Sequence, residues 1–78
     1  MNYDIGQPFI EVNFPSRSVK TAMFRREDIL LVKETVTPDG EPLVTIYVKP
    51  IMGGNKAGEW CFDGTMEDFK KAMKTVYL

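Results

Sequence analysis

Residues 52–60, MGGNKAGEW, come nearest to a chemical motif in this chain. Glycines ahead of a lysine can cradle a phosphate. That chemistry needs G-x-x-x-x-G-K-[ST] between a strand and a helix, so that backbone N–H groups and the helix dipole converge on the anion. Gly53 is followed five residues later by Gly58, but Glu59 and Trp60 hold the Lys and Ser/Thr places. The next residues, EWCFD, read as a strand rather than a helix, so the motif fails in residues and in context. A hairpin loop is the expectation for residues 50–58, with a weak anion nest at Gly53, Gly54 and Lys56 as the sharper alternative. Ile51 and Met52 are apolar where exposure is expected, and either tuck back onto the sheet or meet a partner.

Other reactive groups lack their helpers. A cysteine nucleophile needs a base, usually histidine, and the chain has none. Cys61, between Trp60 and Phe62, reads as a small packed hydrophobe. One cysteine with scattered carboxylates does not make a zinc site. Acid–base work by paired carboxylates needs a cleft that separates their pKa values. Glu67–Asp68 already has a structural task at a helix start, and Glu27–Asp28 is flanked by Arg25 and Arg26 in a turn. No catalysis, cofactor or metal is therefore expected. The three arginines all lie in the N-terminal half, and Arg17, Lys20, Arg25, Arg26 and Lys33 form a basic strip if the first three strands are neighbours. Such a strip suits a protein contact, where arginine is enriched. The alternative is nucleic acid, with Phe24 as a stacking platform.

The elements that must position these groups can be read from periodicity. FIEVNF alternates, with Ile10, Val12 and Phe14 on one face, which is a strand pattern. PSRS at 15–18 is a turn, and VKTAMF a second strand, with Val19, Thr21 and Met23 sharing a face. RRED at 25–28 is a charged break compatible with one tight helical turn. ILLVKETV is rich in β-branched residues, and its double leucine suggests cover on both sides of its first half. In TPDGEP, Pro38 suits the first corner and Asp39–Gly40 the positive φ of a hairpin. LVTIYVK and EWCFD are the remaining strands. Thr65 is a good N-cap, with Asp68 completing a capping box, and a helix is expected over 65–77. Its stripe runs through Met66, Phe69, Ala72 or Met73, Val76 and Tyr77.

The expected architecture is thus α+β in one small domain over residues 1–78: an antiparallel sheet of four to five strands with one C-terminal helix on one face, after a lead-in at 1–8. The run FRREDILLVKETVTPDGEPLVTIYV followed by GTMEDFKKAM is similar in layout to small bacterial regulators of the FlbD-like flagellar type. Both show a strand, an acidic-Ile step, a turn, a strand and a closing helix. The long glycine loop and the N-terminal extension depart from that layout, and no functional residue is carried over.

Composition sets the outer bounds. Net charge is −1, with 44% hydrophobic and 27% charged residues, an ordinary globular balance. It argues against a general nucleic-acid binder and against a polybasic membrane surface. No apolar run reaches the ~20 residues that span a bilayer, and MNYDIGQPF lacks the order of a secretion signal, so a cytoplasmic location is expected. A chain of 78 residues hides only about 60% of its unfolded surface. Apolar residues nevertheless fall in both registers of the strands, as in Phe9 with Ile10, Leu30 with Leu31, and Tyr47 with Val48. The second face therefore curls on itself or meets another chain. The expected function is a small non-catalytic regulatory protein acting through protein–protein contacts, as a homodimer. Arg17, Phe24, Arg25, Arg26, Ile51 and Met52 are its candidate contact residues.

Overall fold

The structure is a computed structural model that describes residues 8–50 and 58–77. Its elements run in the order β1 (Pro8–Asn13), β2 (Thr21–Arg25), a 3-10 turn (Arg26–Asp28), β3 (Ile29–Val36), β4 (Pro42–Val48), β5 (Gly58–Asp63), α1 (Met66–Ala72) and β6 (Met73–Tyr77). The class is α+β with antiparallel sheets, as expected. The strands divide between two three-stranded sheets, however, ordered β2-β1-β6 and β3-β4-β5, rather than forming one sheet of four or five.

The break falls between β2 and β3, at the 3-10 turn, and the C-terminus supplies the third strand of the first sheet. The helix ends at Ala72, and Met73 turns extended (φ −112°, ψ 155°), so the expected helix over 65–77 is a two-turn helix followed by a strand. Val76 and Tyr77 suit helical and extended spacing alike, but β1 offers a full row of backbone partners. Pairing Phe9 with Val76 and Val12 with Met73 satisfies them. β1 thereby becomes the centre of a sheet of its own.

Each sheet turns its apolar register inward. Ile10 and Val12 of β1 and Phe24 of β2 face Val44, Ile46 and Val48 of β4 and Phe62 of β5, and α1 adds Phe69 to the same core. Val12, Val44 and Ile46 are wholly buried. Burial at this level is worth about 1.5–3 kcal/mol per large side chain. The two sheets meet at Phe24 of β2, edge-on to Trp60 of β5 at 5.2 Å, and α1 joins them through Phe69, edge-on to Phe62 of β5 at 5.5 Å.

Local chemistry sets the connections. RRED forms the single tight turn that its charge pattern suggests. Thr65 Oγ1 accepts from the Asp68 N–H while the Asp68 carboxylate accepts from the Thr65 N–H, which is the expected capping box. These bonds hold the Asp68 carboxyl below the usual carboxylate range. Gly64, between β5 and α1, sits at φ +150°, where a Cβ would come 3.0 Å from the Phe62 ring. No helix among the described residues is long and apolar enough to cross a membrane.

Candidate interaction surface

β3 is the longest strand of the structure and an outer strand of its sheet. Its β-branched and leucine content explains the extended backbone, and the hairpin to β4 fixes its register. Thr37 N–H donates to the Glu41 carbonyl (2.8 Å) and Gly40 N–H to the Thr37 carbonyl (2.8 Å), with Gly40 at φ +85°. This is a type I turn closed by a left-handed glycine, as TPDGEP implies.

Thr37 and Glu41 therefore form a bonded pair, and bonded and non-bonded pairs alternate along an antiparallel ladder. Carried along the register, Thr35–Leu43, Lys33–Thr45 and Leu31–Tyr47 are the bonded pairs. Val32, Glu34 and Val36 are the others, so their N–H and C=O groups point away from β4 toward an edge that no strand pairs among the described residues. Pro42, with no N–H to give, sits opposite Val36 at a position that needs none.

The side chains on this strand are unusually uncovered. Leu30 is 55% exposed, Leu31 50% and Val36 68%. The register slips between Ile29 and Leu31, so Leu30 bulges out of the ladder. The expected cover on both sides of the double leucine is thus absent among the described residues. A continuous strand carries one side chain per face per step, and the bulge breaks that alternation. Two charges punctuate the strand. The Lys33 ammonium lies over the Tyr47 ring, 5.4 Å from its centre. Glu34 Oε1 accepts from the Met66 N–H at 2.8 Å and so ties β3 to the start of α1.

The residues singled out from the sequence lie elsewhere and apart. Arg17 donates through Nε and Nη2 to the two oxygens of Asp63 (2.9 and 2.8 Å), with Ser16 Oγ on the same carboxylate (3.0 Å). Phe24 is buried in the core and offers no stacking platform. It falls in the inward register of β2 with Ala22, and Thr21 and Met23 take the outward one. Arg25, at the far end of β2, holds Asp28 (Nε to Oδ2, 3.1 Å) and reaches Glu27 at 3.4 Å. Those contacts keep the Asp28 carboxyl below its ordinary pKa, the Arg25 hydrogen bond being the main cause. Arg26 is exposed in the 3-10 turn. Lys20 Nζ donates to the Pro15 carbonyl (3.2 Å). The basic strip is therefore distributed over both sheets, with Arg17 and Arg25 engaged by carboxylates. Ile51 and Met52 lie outside the described residues.

From the sequence, Leu30 and Leu31 stand among the apolar surplus that curls on itself or meets another chain, but they are not grouped with Val36 as one surface. Their apolar character is visible in the chain, but their place on an outer strand depends on which strands pair. Among the described residues no group of three His, Cys, Asp or Glu side chains could hold a metal ion. No protein family, curated protein or solved structure matches this chain.

Proposed function

We propose that this protein is a non-catalytic interaction module that pairs with a second copy of itself along the open edge of β3. The observation that carries this reading is the coincidence of outward-facing backbone groups at Val32, Glu34 and Val36 with the exposed side chains of Leu30, Leu31 and Val36. An open apolar edge is a ready template for another strand. A regulatory role, as a small protein that changes a partner's state by contact, rests on the same surface.

An antiparallel two-fold centred on Glu34 uses all three outward pairs. It sets Val32 opposite Val36 of the second copy, and Lys33 opposite Thr35. Like charges opposite each other cost stability, and the two Glu34 side chains meet at the centre. Each carboxylate is drawn away from that centre by its bond to Met66 N–H at the helix start. Nucleic acid is the weaker alternative. It would rely on Arg26 and Lys33, because Phe24 is buried and Arg17 is bound to Asp63.

Light scattering on the eluting protein tests the proposal. A mass of two chains is expected for the native sequence, falling to one chain in Val36→Lys at unchanged helix and strand content. A monomer at all concentrations, or a dimer that Val36→Lys leaves intact, would remove the β3 edge from consideration. Nucleic acid that co-elutes at low salt and is lost at high salt would favour the alternative.

A further inference from the structure

A second surface, where the start of β3 and the end of β4 meet β2, has the makings of a ligand site. A cleft of about 380 Å³ runs beside the outer edge of β2. Its apolar walls come from Phe9, Met23 and Phe24 of one sheet and from Val48 and Trp60 of the other. Its size falls in the roughly 300–1,000 Å³ range of small-molecule pockets, which pair an apolar lining with a few placed polar groups.

The polar groups stand at one end. Asp28 offers its oxygens to Arg25, at 3.1 and 3.4 Å. Lys49 Nζ stands 3.8 Å from Asp28 Oδ1, beyond hydrogen-bond length. The Lys49 ammonium thus keeps its donors while remaining near the cleft. Its backbone is fixed there, because Lys49 N–H donates to the Asp28 carbonyl at 2.9 Å. The ionised groups lining the cleft are Arg25, Lys49 and Asp28, two cations against one anion. Glu27 stands outside it, on Arg25.

We infer that this cleft binds a small amphipathic carboxylate, with its apolar body between Phe9, Met23 and Trp60 and its carboxylate on Lys49. The Lys49 ammonium, beyond hydrogen-bond length from Asp28, favours the anion over a neutral or cationic analogue of the same shape. A hydrogen bond to a charged group is worth about tenfold in affinity or somewhat more. None of the residues lining the cleft is Val32, Glu34 or Val36, so the two proposals stand or fall independently.

The chain has one tryptophan, and it forms a wall of the cleft, so its emission reports occupancy directly. Phenylbutyrate, phenylbutanol and phenylbutylamine share one apolar body and differ in charge. Titrated into the native protein, phenylbutyrate is expected to shift Trp60 emission saturably. Phenylbutanol should bind roughly tenfold more weakly, and phenylbutylamine more weakly still. Lys49→Gln should bring the carboxylate down to the level of the alcohol while leaving alcohol binding in place. Amide shifts at Met23, Val48 and Trp60 locate the ligand and show that each variant is folded. No saturable change with phenylbutyrate overturns the inference. So do equal affinities for the three probes, a preference that survives Lys49→Gln, or shifts confined to other residues.

Discussion

The two flanks of this molecule are built to opposite ends. On the β2–β5 flank the sheets are stitched together: Phe24 against Trp60, Phe14 against Trp60 and Phe62, and Arg17 on Asp63. On the β3 flank the outer side of the strand has no partner strand among the described residues, and Leu30, Leu31 and Val36 are exposed. The strand is held by its ladder to β4, by Ile29 and Val32 against the core, and by the Glu34 bond to the start of α1. Both flanks are drawn from comparably apolar sequence. What separates them is whether a second sheet lies opposite. Apolar content alone therefore does not distinguish the part of a small domain that holds it together from the part that meets a partner.

That contrast is sharpest in a pair of substitutions. Phe62→Ala removes a ring packed against Phe14 and Phe69 and should cost about 3–5 kcal/mol of stability, seen as a large drop in the denaturation midpoint. Val36→Lys, on the open flank, should change monomer stability by no more than about 0.5 kcal/mol while abolishing self-association. If Phe62→Ala were mild and Val36→Lys severe, the roles assigned to the flanks would be reversed.

Smaller effects are expected at the joint between them. Thr65→Ala removes the N-cap oxygen and should cost about 1 kcal/mol. Glu34→Ala removes the bond to Met66 N–H and should cost about as much, with a loosening of β3 that shows as faster amide exchange at its bonded positions. Should the two substitutions add independently in a double variant, the β3–α1 tie and the capping box would not act as one unit. Arg17→Ala removes an exposed bidentate pair and should cost no more than about 1 kcal/mol, less in high salt.

Acid should weaken the folded state through the same carboxylates. Asp28 and Asp68 have pKa values lowered from 3.8 by their hydrogen bonds, so below about pH 4 the unfolded chain binds more protons than the folded one. Their stabilising effect is complete above that range and is lost as pH falls through their folded values. A melting temperature that drops in this window, and drops less in Asp28→Asn, is the expected result.

Much of the local structure is legible from the sequence because it rests on short-range chemistry. Thr65 and Asp68 are three residues apart and cap one helix whatever the rest of the chain does. Pro38 and Gly40 likewise close one hairpin, and the alternation of Ile10, Val12 and Phe14 sets one inward face. What local chemistry leaves undetermined is all long-range. Met73–Tyr77 has a spacing that serves helix or strand, and β1, more than sixty residues away, decides between them. Arg17 reads as available for a partner because Asp63, its counter-ion, lies 46 positions along the chain. The exposure of Leu30 and Leu31 depends on β3 lying outermost in its sheet, a consequence of the division into two sheets. Phe24 reads from the sequence as an apolar contact residue, and only the packing of Trp60 shows that its ring turns inward.

The pairing of two copies along β3 is tested most directly by amide hydrogen exchange, resolved by residue and measured across a range of protein concentrations. The N–H groups of Leu31, Lys33 and Thr35 bond to β4 and should be protected at every concentration. Those of Val32, Glu34 and Val36 should exchange fast in dilute protein and become protected as concentration rises. Fast exchange at these three positions in concentrated protein, or protection that ignores concentration, would contradict the account.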